Sequence, residues 1–302
     1  MIDRVKKILQ ILKKDLHERD EIIEVAFLSA LVGENIFLYG PPGVAKSLIS
    51  RRISSAFESE NYFEYLMQKF STPEEVFGPI SLSELKKDNY LRKTKGYLPE
   101  ADFGFLDEIW KSNPAILNTL LTIINEKKFK NGDKIEDVPL KVLISASNET
   151  PPQNQGLEAL YDRFLVRLSV EPLKSRDSFE SILQQGNLDS FVDVAEHLKI
   201  KADEWRGFKD KINKVTISQD CFNIINAIRL EIVEHNEKSD EKDILYISDR
   251  RWQKAGLLLK ASAFFCDRDT TNIVDCFLLE YCLWSKPKEV EVINKIYNAP
   301  KI

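Results

Sequence analysis

The sequence predicts an α/β fold, in which a five-stranded parallel sheet flanked by helices is followed by a smaller all-helical domain. Short apolar runs of strand length recur through the first half, each followed by apolar residues at helical spacing. One of these runs, Asn35-Ile36-Phe37-Leu38-Tyr39, leads through a small-residue loop straight into the helix start Lys46-Ser47-Leu48-Ile49. From about residue 175 onward the period is helical throughout.

The elements follow in order. Residues 2–14 place Ile2, Val5, Ile8, Leu9 and Leu12 on one helical face, and a second helix spans about 20–32 after the polar break His17-Glu18-Arg19-Asp20. That break lies just upstream of the small-residue loop. It can line a base pocket or serve as a solvated helix connection. Tyr62-Phe63-Glu64-Tyr65-Leu66-Met67 reads as the second strand. Thr72-Pro73-Glu74-Glu75 carries a capping box with proline at the first helical position. The segment 78–99 holds Lys86, Lys87, Arg92, Lys93 and Lys95 beside Tyr90 and Tyr97, and reads either as an exposed insertion that touches a partner or as a solvated hairpin.

Phe103-Gly104-Phe105-Leu106 is the third strand. Asn113-Pro114 opens a helix with Ile116, Leu117, Leu120, Leu121 and Ile124 facing inward, and Asn131-Gly132 predicts a hairpin turn. Lys141 to Ser147 is a fourth sheet strand. Residues 157–164 form a helix running into the last strand, Phe164 to Val170, and Pro172 closes the sheet. Beyond it, helices are expected at 176–185, 189–198, 218–236, 248–265, 270–284 and 288–297, with Ser218, Ser248 and Thr270 or Thr271 as caps. The domain boundary falls between 1–172 and 173–302.

Composition narrows the classes. Over 302 residues, 43% hydrophobic and 30% charged content describes a soluble globular chain, and the net charge of −5 argues against a general nucleic-acid binder. No apolar run is long enough to span a bilayer, and Met1-Ile2-Asp3-Arg4 begins an amphipathic helix rather than a signal peptide, so a cytoplasmic location is expected. The four cysteines, Cys221, Cys266, Cys276 and Cys282, form no Cys-x-x-Cys pair. They read as reduced thiols of the helical part rather than as a zinc site.

The chemistry starts in Gly40-Pro41-Pro42-Gly43-Val44-Ala45-Lys46-Ser47. In a strand–loop–helix context this is a phosphate loop: backbone N–H groups and the helix N-terminus surround phosphates, the lysine reaches the β and γ phosphates, and the serine hydroxyl binds Mg²⁺. The candidate nucleotide-binding residues therefore run from Gly40 through Leu48. Ala45 stands where glycine normally precedes the lysine, and its Cβ predicts a backbone that avoids conformations tolerated only by glycine. Asp107 and Glu108 end the third strand. Nucleotide hydrolysis needs one carboxylate to hold the metal and another group to orient or deprotonate water, and these two suit those roles in that order. Asn148, at the carboxyl end of a buried strand, faces the ligand crevice of an open parallel sheet. It can hydrogen-bond a γ-phosphate or water, or simply form a turn.

Taken together, these stretches resemble the AAA+ ATPases of the MoxR family, and most closely its RavA branch. The resemblance rests on the phosphate loop with Phe105-Leu106-Asp107-Glu108-Ile109-Trp110-Lys111, Asn125 to Gly132, Ser145 to Glu149, Leu157 to Phe164, and Ile247-Ser248-Asp249-Arg250-Arg251-Trp252. It implies an AAA+ P-loop core with a helical lid, with Lys46 and Ser47 as Walker A, Asp107 and Glu108 as Walker B and Asn148 as sensor 1. Arg163 is implied as the arginine finger offered to a neighbouring subunit, with Arg167 a weaker candidate, and Arg250 as sensor 2, with Arg251 as the fallback. Salt bridges to Asp162 and Asp249 are the structural alternatives for these arginines. The resemblance further implies ATP/ADP and Mg²⁺ as ligands and a hexameric ring. Segments 71–100 and 126–141 become inserts facing the pore or top face, and a von Willebrand factor A domain protein becomes the partner. RavA-like chains usually carry a further C-terminal region, whereas this sequence stops at Ile302, so that region is expected to be missing, truncated or never present, and the resemblance leaves partner specificity open.

The reading is a Mg²⁺-dependent ATPase that remodels or matures a protein partner. The alternatives are a nucleotide-gated assembly scaffold with slow hydrolysis and a nucleic-acid-acting motor, the latter supported only by the basic cluster from Lys86 to Lys95.

Overall fold

A computed structural model of the chain describes all residues except 59–60, 153–155, 185–191, 241–243 and 299–302. Helices α1 (Ile2–Lys13) and α2 (Asp20–Val32) precede β1 (Asn35–Tyr39) and α3 (Lys46–Ser55). Then come β2 (Tyr62–Leu66), α4 (Pro73–Phe77), α5 (Leu82–Leu85), β3 (Phe103–Asp107), α6 (Pro114–Glu126) and the hairpin β4 (Lys128–Asn131)–β5 (Lys134–Asp137). Strand β6 (Val142–Ser147), α7 (Glu158–Tyr161) and β7 (Phe164–Ser169) complete the α/β part. The remainder is α8 (Arg176–Gln184), α9 (Ala202–Asn213), α10 (Gln219–Glu237), α11 (Asp249–Phe265), α12 (Glu280–Leu283) and α13 (Pro287–Asn298).

The main sheet has five strands in the order β2-β3-β6-β1-β7, all parallel, as the sequence predicts. Both faces are covered, which explains the uninterrupted apolar runs: every residue of β6 is buried. Alternation along β1 sends Ile36 and Leu38 into one core and Phe37 into the other. The first core continues through α1, α2 and α3 into the C-terminal helices, where Phe208, Leu258 and Cys282 join it. The second lies under α6 and the hairpin, around Trp110, Leu117, Phe129 and Tyr161.

Local signals account for most element ends. Thr72 and Glu75 form the expected capping box, and Asn113 Oδ1 accepts from the Ile116 N–H at 3.1 Å, with Pro114 at the first helical position. Ser218 and Ser248 cap α10 and α11 through their side-chain oxygens.

The C-terminal half departs from expectation in three places. Residues 192–195 are not helical and only a short 3₁₀ turn, Glu196–Leu198, follows them; the rest of the predicted helix 189–198 lies outside the described residues. Helix α9 was not predicted, although Trp205, Phe208 and Ile212 have helical spacing; Gly207 and the dense charge around them mask the pattern. The predicted helix 270–284 is a 3₁₀ segment, Ile273–Leu279, followed by α12. Its cap is Asn272, while Thr271 is buried and bonds the Ser218 N–H and Cys221 instead. Among the described residues no helix is long and apolar enough to cross a membrane.

Candidate functional site

The chain leaves β1 at Tyr39, over the middle of the sheet, because β1 lies between β6 and β7. Gly40 anchors the loop: its N–H donates to Ser147 O at 3.1 Å, and a Cβ there would stand 2.1 Å from Val170 O, so no other residue fits. Gly43, at φ +81°, has no atom within 4 Å of the place a Cβ would take, so the loop backbone opens onto free space. Pro41, Pro42 and Gly43 are exposed, whereas Val44 and Leu48 are buried and fasten the loop to the core.

Ala45 corrects the sequence expectation. It sits at φ +69°, ψ 27°, in the left-handed region, and caps α3 there. Closing the loop onto the helix start outweighs the roughly 1 kcal/mol that a Cβ costs in this conformation.

Lys46 is buried, and its ammonium donates to the carbonyls of Gly40 (2.6 Å) and Pro41 (2.9 Å). Burial pushes its pKa down, opposed by the facing charges of Asp107 and Glu108. Asp107 ends β3 opposite Ala146, so it stands one strand from the loop. Burial raises its pKa, and Lys46 together with the Glu108 N–H, which donates to Asp107 Oδ1 at 3.0 Å, counters that rise. Glu108 also adopts a left-handed backbone, φ +52° and ψ 41°. Its Oε2 accepts from Ser147 Oγ at 3.3 Å and pairs with Lys111 Nζ at 3.2 Å. Neither Ser147 nor Lys111 was assigned a role from sequence; the three-residue spacing of Glu108 and Lys111 was the available signal. Asn148 is exposed, directly after β6 and beside this group. Ser47 follows Lys46 at the start of α3, half-buried. An open glycine cradle, a buried lysine held only by loop carbonyls and a half-buried aspartate fit a phosphate chain with a divalent cation.

The structure does not bring Arg163 and Arg250 to this group. Arg163 precedes β7, whose first residue pairs with Asn35 at the start of β1, so a strand of about 17 Å separates it from the loop. There Arg163 Nε donates to Asn125 Oδ1 at 2.7 Å, and its guanidinium also bonds Ala159 O. Burial and then the nearby charge of Arg250 lower its pKa, which places the two predicted arginines together.

Their sequence neighbours are structural. Arg167, the weaker finger candidate, is fully buried: it donates to Ser285 Oγ (2.9 Å), Tyr161 O (3.0 Å) and Trp284 O, and stacks 3.9 Å from the Tyr161 ring centroid. Desolvation pushes its pKa down to about 10. Arg251, the sensor fallback, is buried and donates to Asp162 Oδ1 (3.2 Å) and Ser285 Oγ (3.1 Å), and Ser248 Oγ donates to the same carboxylate. Asp162 therefore pairs with Arg251, not with Arg163.

On the far side of Gly40 a crevice of about 300 Å³ is lined by Arg19, Ile22, Leu168, Glu171, Tyr281 and Trp284. The break at 17–20 thus reaches a cavity beside the loop, with Trp284 6.5 Å from Tyr39, ring to ring. Arg19 is buried against the carbonyls of Glu18 and Glu171. A larger cavity, about 1030 Å³, lies among α9, α10 and α11 and holds none of the predicted site residues.

The inserts form one unit. Asn131 is buried, and its side chain accepts from the Arg92 N–H (2.7 Å) and donates to Arg92 O (3.2 Å), as a strand partner would. Asn131 is therefore the last strand residue rather than a turn residue, and Gly132, at φ +61°, opens the two-residue loop. Within 78–99, Lys86, Lys87, Lys93 and Lys95 are exposed, while Arg92 pairs with Glu74 at 3.0 Å.

A parallel sheet with a phosphate loop after an inner strand, two carboxylates on the next-but-one strand and a helical C-terminal part defines an AAA+ fold of the P-loop class. Residues 3–210 match the family described as the MoxR domain of MoxR–vWA–β-propeller ternary systems, and residues 220–297 match an AAA lid domain. The chain belongs to the MoxR family of AAA+ ATPases. Two uncharacterised proteins of Methanocaldococcus jannaschii, MJ0079 and MJ0812, are each 39% identical to it, over 98% and 94% of this chain and 74% and 72% of their own length. Structural protein ORF618 of Acidianus two-tailed virus is 31% identical over 46% of this chain and 23% of its own. A Cytophaga hutchinsonii protein, solved as a candidate ATPase, shares the fold with a TM-score of 0.76 at 20% identity, covering 99% of this chain and 94% of that one.

Proposed function

We propose that the chain hydrolyses ATP as one subunit of a hexameric ring and uses turnover to remodel or mature a protein partner in the cytoplasm. The observation that carries this is the convergence of Lys46, Asp107 and Glu108 at the carboxyl ends of β1 and β3, while Arg163 and Arg250 gather near the amino end of β7, at the other end of the strands. One chain thus holds two complementary halves that only a neighbour can bring together. Lys46 releases the Gly40 and Pro41 carbonyls to meet the β and γ phosphates. Glu108 orients and deprotonates the attacking water, and Asn148 donates to that water or to the terminal phosphate. Ser47 and Asp107 would hold Mg²⁺, whose charge would offset that of the phosphate oxygens. The adenine is assigned to the crevice bounded by Trp284 and Tyr281. Arg163, from the neighbour, supplies positive charge to the terminal phosphate, and Arg250 acts as the lid's sensor.

In this reading residues 1–172 are the nucleotide-binding unit and 173–302 the lid, within the RavA branch. The family description, which joins MoxR to von Willebrand factor A and β-propeller components, supports a von Willebrand factor A domain protein as partner. The test is ATP turnover against protein concentration, with mass photometry, for wild type and Glu108→Gln. Turnover per subunit is expected to rise as rings form and to fall about a hundredfold or more in the variant, nucleotide still bound. Turnover that is flat with concentration removes the ring. Turnover that survives Glu108→Gln removes the hydrolytic assignment and leaves a nucleotide-gated scaffold.

A further inference from the structure

We infer that Lys111 is a positioning residue of the phosphate site. It holds the Glu108 carboxylate while no triphosphate is bound, and moves its ammonium to the terminal phosphate when one arrives. The inference rests on the reading of this site as one that binds and hydrolyses ATP.

The local chain fixes the geometry. Ile109–Lys111 is a single 3₁₀ turn that begins directly after Glu108, and the Lys111 N–H donates back to Glu108 O at 2.9 Å. Ile109 and Trp110 are buried, Trp110 with its ring 5.7 Å from that of Phe37, so the backbone under Lys111 is held by the core. The left-handed backbone of Glu108 turns its side chain toward β6, where one oxygen, Oε2, takes both the Lys111 ammonium (3.2 Å) and the Ser147 hydroxyl (3.3 Å). A carboxylate tied twice through one oxygen is held in one orientation, turned toward β6.

The other half of the inference is freedom. The Glu108 side chain is 13% exposed and that of Lys111 46%, so the anchor stays while the cation can swing. Its charge already reaches Lys46, whose pKa is lowered first by burial and then, more weakly, by Lys111. Lys46, Lys111, Asp107 and Glu108 share this end of the sheet. A triphosphate brings more negative charge than one carboxylate can offer, so it draws Lys111 away and leaves the Glu108 side chain free to turn toward the terminal phosphate. A diphosphate stops one phosphate short and leaves the Lys111–Glu108 pair in place.

The measurement is the affinity of the intact protein for MgADP and for the magnesium complex of the non-hydrolysable β,γ-imido analogue of ATP. The variants are Lys111→Met, Lys111→Arg, Glu108→Gln and the double Lys111→Met/Glu108→Gln. Lys111→Met is expected to weaken the triphosphate analogue about tenfold and MgADP less than twofold, with Lys111→Arg restoring the difference. Glu108→Gln removes the competing carboxylate and is expected to tighten the triphosphate severalfold when Lys111 is present, and distinctly less in its absence. Equal loss for both nucleotides, failure of Lys111→Arg to rescue, or additive effects in the double variant overturns the handover while leaving the ATP site intact. Wild type that binds neither nucleotide removes the ATP site, and the handover with it.

Discussion

Arg163 and Arg167 stand on one short stretch of chain, and Arg250 and Arg251 are adjacent, yet within each pair one member is tied off and the other stays available. Arg167 and Arg251 are buried and spend their donors on Tyr161, Asp162, Trp284 and Ser285, which join β7 to the C-terminal helices. Arg163 is half-exposed with two local contacts, and Arg250 is exposed. Both kinds carry the same charge on neighbouring stretches of chain. What separates them is burial in a closed junction: each buried guanidinium leaves its Nε unpartnered, yet its terminal nitrogens serve acceptors that would be stranded if it left.

The comparison breaks most sharply at Arg163. In assembled protein, Arg163→Ala is expected to lower turnover about a thousandfold, the scale of a finger acting on a terminal phosphate, while shifting stability by under about 0.5 kcal/mol. Turnover and urea midpoint measured on the same samples decide it. Undiminished turnover would return Arg163 to the role of a helix-end contact with Asn125.

Arg167→Met reverses the pattern. Methionine fills the space but leaves the Tyr161 and Trp284 carbonyls without their donor in a dry junction, so a loss of about 3 kcal/mol in urea unfolding is expected. A variant of normal stability that no longer turns over would make Arg167 functional after all.

These pairs also mark where the sequence stops being legible. The sheet, the phosphate loop and the Asp107–Glu108 strand end can be read directly, because a buried parallel strand is a short apolar run and its ligand-bearing loop follows it without interruption. The caps at Thr72, Asn113, Ser218 and Ser248 can be read because a cap acts on residues two or three positions away. Which arginine of a pair is buried is not legible, because Ser285 and Trp284 lie far along the chain and only the folded junction brings them to β7. Ser147 and Lys111 show the same limit at shorter range: their link to Glu108 depends on the register of β6 against β3 and on the Glu108 backbone angle. Helix α9 was missed for a different reason, since three apolar residues among charges match a solvated segment as well as they match a stripe.

Lys127 sharpens the comparison from a third position, a half-buried cation whose facing carboxylate is already paired with another lysine. It ends α6 and faces Glu34, which already pairs with Lys254 at 2.6 Å. Burial pushes its pKa from 10.5 down to about 8. Between those values the unfolded chain binds the extra proton, so stability rises with pH across that window, and below pH 8 the full cost of burying the charge is present. Lys127→Met is therefore expected to stabilise the protein by about 1 kcal/mol at pH 7, with the gain shrinking as pH climbs from 8 toward 10. A gain that persists at pH 10 would trace to packing instead of charge.

The smallest expected effect lies at the loop. The junction is held by side-chain hydrogen bonds, whereas the phosphate-loop end holds strain at Ala45 and Glu108, both left-handed. Ala45→Gly restores the residue that tolerates this backbone, removing about 1 kcal/mol of native-state strain while adding about 0.5 kcal/mol of freedom to the unfolded chain. The net is a gain of about 0.5 kcal/mol, readable as a rise of about 1 °C in melting temperature. Turnover is expected to stay within about twofold, because the N–H groups that would meet phosphate keep their directions. Ala45→Val should move the opposite way, since a branched side chain at positive φ crowds its own backbone. If glycine instead destabilises, the alanine Cβ is a packing contact and not a strain. The loop end would then resemble the junction it is contrasted with, its parts held by contacts rather than by the closure of the turn.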